Sequence, residues 1–420
     1  MGTSHVIIGD GIAGSSAAET IREADPAADI TVLTDEGEAL YNRILIKEFA
    51  KGKMPEGPIS IHQPEWYDER DIELRLNTMV TRIDATAQEI HTHDGDTIGY
   101  DALLLATGGT PAQLPVENSD AEGIHHFWTF EDARAIEEHA SRADTGVIVG
   151  AGLLGIDLAA ICGAQDVSAQ YLMRGNAWWR YALSEEGAEI MHEAMRERDV
   201  TPVFDSGVDH FEVDDTGHVT GVVDPNGEHY EADFVGIAIG LNFNTEFLYS
   251  SDIELTDNGS IVTDEHMRTN VENVYAAGDV TYFYDNILGD QAQNGAWGSA
   301  KEQGSIAGTN MVRDTGGEED EATFSWVSSY SITHFDFPFL SFGHPTLGDE
   351  SAERTYSDTE WRRVSIKDGK VTGGVLIGNL APQTKLKRLA REQIDVSNSK
   401  DLLLEETIDV DKFLKQEAET

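Results

Sequence analysis

Apolar residues along this chain fall into short bursts of four or five, each followed by small residues and polar turns. Residues 5–8 form one burst and run into Gly9, Gly11 and Gly14. A stretch of small residues at helical spacing follows over 13–24, and a second burst lies at 29–33. The pattern restarts at 146–149, with Gly150, Gly152 and Gly155 next, a helix to about 163 and a strand at 168–172. The two glycine sets stand 141 residues apart, Gly9 against Gly150, so a strand–turn–helix unit is duplicated. Short strands with polar turns follow each copy, and Asp94-Gly95, Thr216-Gly217 and Asn226-Gly227 mark hairpins.

After about residue 318 the pattern changes. Gly316, Gly317 and the acidic stretch 318–321 read as a linker. Strands at 360–367 and 371–377 flank an Asp368-Gly369 turn, and a helix spans about 381–391. The fold expected is α/β, with two Rossmann-like three-layer domains, the second inserted in the first, and a C-terminal α+β domain. The boundaries expected are 1–115 with 240–318 for the first domain, 116–239 for the second and 319–420 for the third.

Composition narrows the function. The 420 residues include 77 acidic and 29 basic ones, a net charge of −48 spread along the whole chain. A dispersed excess of this size resembles proteins of extremely halophilic archaea, and it repels phosphate backbones, which argues against nucleic-acid binding. The single cysteine, Cys162, excludes a disulfide, a CxxC pair and a four-cysteine iron–sulfur site within the chain. Redox chemistry would therefore need a cofactor. With no signal-like start and no 18-residue apolar run, a cytoplasmic protein off the membrane is expected.

Each glycine set follows an apolar strand and opens a helix, the context in which GxGxxG binds a dinucleotide. The first glycine makes the turn, the second admits the pyrophosphate, and the third lets helix and strand pack. Asp35, about twenty residues past the first turn, can accept from a ribose hydroxyl. In the second copy Met173 takes that place, with Arg174 and Arg180 nearby, which favours the 2′-phosphate of NADPH over NADH. Residues 103–109, LLLATGG, bring Ala106, Thr107 and Gly108 to the end of another strand. Gly278 and Asp279 end a further one, where the acid can accept from a ribityl hydroxyl of FAD. A helix from Ala296 and Trp297 follows, whose positive end would stabilise reduced flavin.

With these motifs the chain resembles the FAD-dependent pyridine-nucleotide reductases that serve ferredoxin and rubredoxin, relatives of the nitrite reductase flavin subunit and of apoptosis-inducing factor. The resemblance spans residues 1 to about 380 and rests on GDGIAG, LYNRILIK, ATGG, GAGLLGID, NVYAAGD and WGSAKEQG. It implies bound FAD, NADPH or NADH as co-substrate, and electron transfer to a small acidic carrier such as a ferredoxin or rubredoxin. It casts Arg43 as a pyrophosphate partner, Lys47 as a neighbour of flavin N5, Asp157 as the acid paired with Lys47, and Trp297 as an aromatic near the ring.

Three departures matter. No cysteine lies in 40–43, which argues against thiol peroxidase, water-forming oxidase and disulfide reductase chemistry. Leu153 stands where many relatives place an aromatic gate, and Met173 replaces the expected acid. Cys162 and His334 read as core residues, and the adjacent His125 and His126 as a local loop feature; no metal site is expected. Lys385, Lys387, Arg388 and Arg391 crowd one helix, either a solvated face paired with local acids or a docking patch for an acidic carrier. Two rival functions stay open, a peroxide-forming NAD(P)H oxidase and a flavoprotein with vestigial nicotinamide binding. Oligomeric state is likewise open, with a homodimer one option.

Overall fold

The computed structural model describes residues 2–417. The chain divides into two compact units, one of residues 1–42, 57–110 and 242–328, the other of 43–56, 111–241 and 329–420.

The first unit is built on a five-stranded parallel sheet. Ser4–Ile8 lies at its centre, flanked by Asp29–Leu33 and Ala102–Leu105, with Ile72–Arg75 and Val274–Ala276 outermost. The central strands are apolar on both faces, as a parallel sheet covered on both sides requires. One cover is the pair of helices Ile12–Ala24 and Trp297–Asp314. They pack closely because Gly304 and Gly308 carry no side chain. A Cβ on Gly304 would lie 2.0 Å from the Ala13 carbonyl oxygen, and one on Gly308 2.8 Å from that of Ala17. The opposite face is covered by the three-stranded meander from Val80 to Gly99, whose hairpin turn contains Asp94 and Gly95 as expected.

The second unit repeats the plan. Thr145–Val149 is the central strand, with Ser168–Leu172 and Val200–Val203 on one side and Phe234–Ile237 and Ile124–His126 on the other, all parallel. Leu153–Ala164 is its glycine helix, and a meander from His210 to Glu231 packs on the sheet. The tail contributes a five-stranded antiparallel sheet and the helix Gln383–Arg391. The Asp368-Gly369 hairpin forms as read, both residues at positive φ (51° and 74°), the two-residue turn that suits a twisted strand pair. Arg362 is buried in this sheet, and its Nη1 donates to the carbonyls of Leu403 and Glu405, each at 2.9 Å. The α/β class with two Rossmann-like sheets and an α+β tail is the observed fold.

Candidate functional site

In both copies the glycines divide by what surrounds them. Gly9 has φ 108°, and a Cβ there would lie 2.2 Å from the Ala106 carbonyl oxygen; one on Gly14 would lie 1.9 Å from the carbonyl of Gly9. Around Gly11 no atom lies within 4 Å of a built Cβ. The second copy matches: Gly150 (φ 115°) and Gly155 are hemmed in by backbone, whereas Gly152 faces open space. The outer glycines hold the turn, and the middle one leaves room for a group to approach the backbone.

The helix ends support an anionic occupant. Thr129 and Ser184 cap the helices Phe130–Ala140 and Glu185–Arg196, and both have acids in their first turns. The two glycine helices and Trp297–Asp314 have no side-chain cap and no acid in the first turn, although the chain carries 77 acids. Their free N–H groups and positive ends suit phosphate or an electron-rich ring. Asp10, inside the first glycine turn, is buried and accepts from the Tyr67 hydroxyl at 2.6 Å. Burial pushes its carboxyl up to about 7, which favours the neutral form beside a phosphate turn. The residues present thus fit two dinucleotides, one per unit.

Within the first unit, Asp35 is exposed, whereas the next residue, Glu36, is half-buried and accepts from the Tyr41 hydroxyl at 2.7 Å. Glu36 also acts electrostatically on Asp10, so it stands beside the glycine turn. Sequence reasoning passed over it because either acid satisfies the spacing. Thr107 and Asn244 exchange hydrogen bonds, Oγ1 to carbonyl at 2.9 Å and Nδ2 to carbonyl at 3.0 Å, which pins the Ala106–Gly108 turn. Gly278 donates its N–H to the buried Gln303 side chain at 2.7 Å, locking the Gly278–Asp279 turn to the long helix. A Cβ on Gly295 would come 3.6 Å from the Asp279 carboxylate, just before Ala296 and the half-buried Trp297.

Within the second unit, Arg43 donates to the Trp128 carbonyl at 2.9 Å and lies 5.6 Å from the centre of its ring. Met173 is fully buried, so its side chain packs inward and puts no carboxylate at the end of its strand. Arg174 and Arg180 are exposed, and Arg180 folds back over Gly175, where a Cβ would meet its Nη1 at 2.7 Å. Both arginines therefore stand at the end of strand Ser168–Leu172.

Lys47 and Asp157 are both buried, with Nζ 3.5 Å from Oδ1. Two tail residues join them. His334 Nε2 lies 2.5 Å from the same Oδ1, the Tyr330 hydroxyl donates to it at 3.0 Å, and Lys47 stands 5.1 Å over the Tyr330 ring. Burial alone would raise the Asp157 carboxyl; the His334 hydrogen bond and the Lys47 charge outweigh it and hold it below the usual range. His334 is thus buried, as expected, yet it is a polar hub and not an apolar packing residue. Cys162 is fully buried, and its thiol is pushed up to about 12 by burial, which keeps it inert. His125 lies on a strand and not in a loop, 2.8 Å from His139. Among the described residues no cluster is placed to hold a metal, and no helix is long and apolar enough to cross a membrane.

Two parallel sheets, each with a glycine turn opening onto an uncapped helix, define a two-dinucleotide oxidoreductase fold. The chain belongs to the pyridine nucleotide-disulphide oxidoreductase family, which matches residues 3–304. It is 24% identical over 404 residues to the assimilatory nitrate reductase electron transfer subunit of Bacillus subtilis, covering 95% of this chain and 51% of that one. It is 31% identical over 277 residues to rhodocoxin reductase of Rhodococcus erythropolis, covering 66% and 64%. The chain spans about half the length, or less, of the first curated relatives it matches. Its fold is that of the reductase in the covalent putidaredoxin reductase–putidaredoxin complex, with a TM-score of 0.89 at 22% identity, covering 99% and 98% of the chains.

Proposed function

We propose that the protein is an FAD-dependent NAD(P)H oxidoreductase that passes electrons to a small redox carrier. The observation that carries this reading is the pair of open glycine turns on acid-free helix ends, in a chain of net charge −48. Bound FAD would supply a centre that takes a hydride's two electrons and releases them singly.

The chain's own residues bind and orient. Residues 1–115 and 240–318 hold FAD through Gly9, Gly11 and Gly14, an acid at Asp35 or Glu36, the Ala106–Gly108 turn, Gly278 with Asp279, and the end of the long helix at Ala296 and Trp297. Residues 116–239 hold the nicotinamide nucleotide through Gly150, Gly152 and Gly155, and Arg174 with Arg180 favour its 2′-phosphate. Arg43 serves the FAD pyrophosphate. Lys47, paired with Asp157, favours electron density on the flavin. Residues 319–420 complete this pair through His334 and Tyr330. The acceptor is a small redox protein such as a ferredoxin or rubredoxin, the kind of partner that similar proteins are named for. An NAD(P)H donor implies a reaction in the cytoplasm.

Anaerobic stopped-flow mixing of the yellow protein with NADPH and then NADH, in molar KCl, tests the reading. Rapid bleaching of the flavin is expected, faster with NADPH. Retained FAD that neither donor bleaches would refute reductase activity, and turnover matched by oxygen consumption would instead identify a terminal oxidase.

A further inference from the structure

His334 ends the strand Ser329–His334 and is 1% exposed. Its Nδ1 lies 3.1 Å from Lys51 Nζ, and its Nε2 lies against Asp157. An ammonium has donors only, so Nδ1 must accept, and the ring proton sits on Nε2 and is donated to the carboxylate. Lys51 is itself buried, and its Nζ donates to Glu48 Oε1 at 2.8 Å; the Glu48 side chain is 34% exposed. Glu48, Lys51, His334, Asp157 and Lys47 thus form a row with every step at 3.5 Å or less, buried at one end and open to solvent at the other. The other ionisable groups acting on it are the Lys53 ammonium, which bears on Glu48 and Lys51 at the solvent end, and the hydroxyls of Tyr330 and Tyr171, which burial keeps protonated. Burial lowers both Lys51 and His334, so each gives up a proton more readily than in water.

We propose that this row is a proton connection between solvent at Glu48 and the Lys47–Asp157 pair, with His334 as the positioning residue through which the proton passes. This rests on the reading of Lys47 given above. In the inward direction an N–H bond of Lys51 breaks as one forms at His334 Nδ1. The Nε2–H bond breaks as an O–H bond forms at Asp157 Oδ1, and Lys51 regains a proton from water through Glu48. One proton enters, no electron moves, and the row gains one positive charge beside Lys47. In the resting row Asp157 stays ionised, held below the usual carboxylate range; the negative charge a hydride would bring to bound FAD raises it, so reduction would draw in one proton besides the one the hydride contributes.

The test is the midpoint potential of the bound flavin between about pH 6 and 8 in molar KCl. One added proton per two electrons means one more tenfold change in the equilibrium constant per pH unit. The wild type should therefore fall about twice as steeply with pH as His334→Asn or Lys51→Gln, while Tyr330→Phe, which keeps the row, should retain the steep slope. Equal slopes in wild type and both row variants overturn the proposal while leaving the reductase reading intact if NADPH still bleaches the flavin. A protein without flavin, or with flavin that NADPH cannot reduce, overturns that reading and the row's role with it. Nitrogen-15 spectra of His334 supply a check independent of flavin. A neutral ring protonated at Nε2 is expected at pH 7, and an imidazolium or an Nδ1–H form overturns the relay.

Discussion

His334 and Asp157 are 177 positions apart, yet the ring of one and the carboxylate of the other share a hydrogen bond buried on both sides. One residue comes from the tail sheet and the other from the second glycine helix. The tail domain therefore contributes to the charge balance at Lys47 and does more than cover surface.

Removing the carboxylate charge should be costly. Asp157→Asn leaves Lys47 buried without its counter-ion, and breaking such a pair costs about 3–5 kcal/mol. Denaturant unfolding in molar KCl should show this loss. The double variant Lys47→Met with Asp157→Asn should lose less than the sum of its single variants.

The glycines of one turn should respond differently. Gly14→Ala places a Cβ against the Gly9 carbonyl and should abolish the folded state or cost several kcal/mol. Gly11→Ala meets nothing in the protein, so circular dichroism and melting of the apoprotein should match wild type while FAD affinity falls. If Gly11→Ala retains FAD as tightly as wild type, the pyrophosphate does not approach there.

Asp10 should give the protein a distinct pH signature. Its carboxyl is raised from 3.8 to about 7 in the folded state, so the folded protein binds more protons than the unfolded chain between those values. Stability from this group is full below about pH 4 and is lost as pH rises toward 7. Asp10→Asn keeps an acceptor for Tyr67 and should flatten the wild-type decline across that window, leaving the variant the more stable above pH 7. Parallel profiles for the two proteins would show that Asp10 titrates normally.

Coenzyme preference should depend on the two exposed arginines. A charge-assisted hydrogen bond contributes about 1.5–3 kcal/mol. Arg174→Ser with Arg180→Ser should therefore lower kcat/KM for NADPH tenfold or more and leave that for NADH nearly unchanged.

The basic helix should matter only at moderate salt. Arg388 pairs with Glu392 at 2.9 Å, so part of its charge is already neutralised locally. Lys385→Glu with Lys387→Glu should slow carrier reduction several-fold at the lowest salt that keeps the protein folded, with dye reduction unaffected. The difference should shrink in molar KCl, where the Debye length is about 3 Å.

Much of the frame was legible because it is local. The glycine turns, the strands entering them and the Asp368-Gly369 hairpin each follow from residues a few positions apart. The Lys47–Asp157 contact came from family resemblance, since no spacing links positions 110 apart, though the structure places the two 3.5 Å apart. His334 was misread because a lone histidine in the aromatic stretch THFDFPF looks like packing, and nothing nearby in sequence announces Lys51 or Asp157 as its partners. Glu36 was missed for a subtler reason. Both acids lie in a bend just past the strand Asp29–Leu33, and spacing alone does not say which of them turns toward the glycines.

Arg362 ties the tail sheet to a segment that follows it in the chain. Its sheet is complete in sequence by Ile377, yet the carbonyls that receive its buried guanidinium belong to Leu403 and Glu405. During synthesis the five strands therefore leave the ribosome carrying a cation that has no place in a dry interior until some thirty further residues have emerged. The sheet should stay loose over that interval and close in one late event, when the segment bearing Leu403 and Leu404 docks.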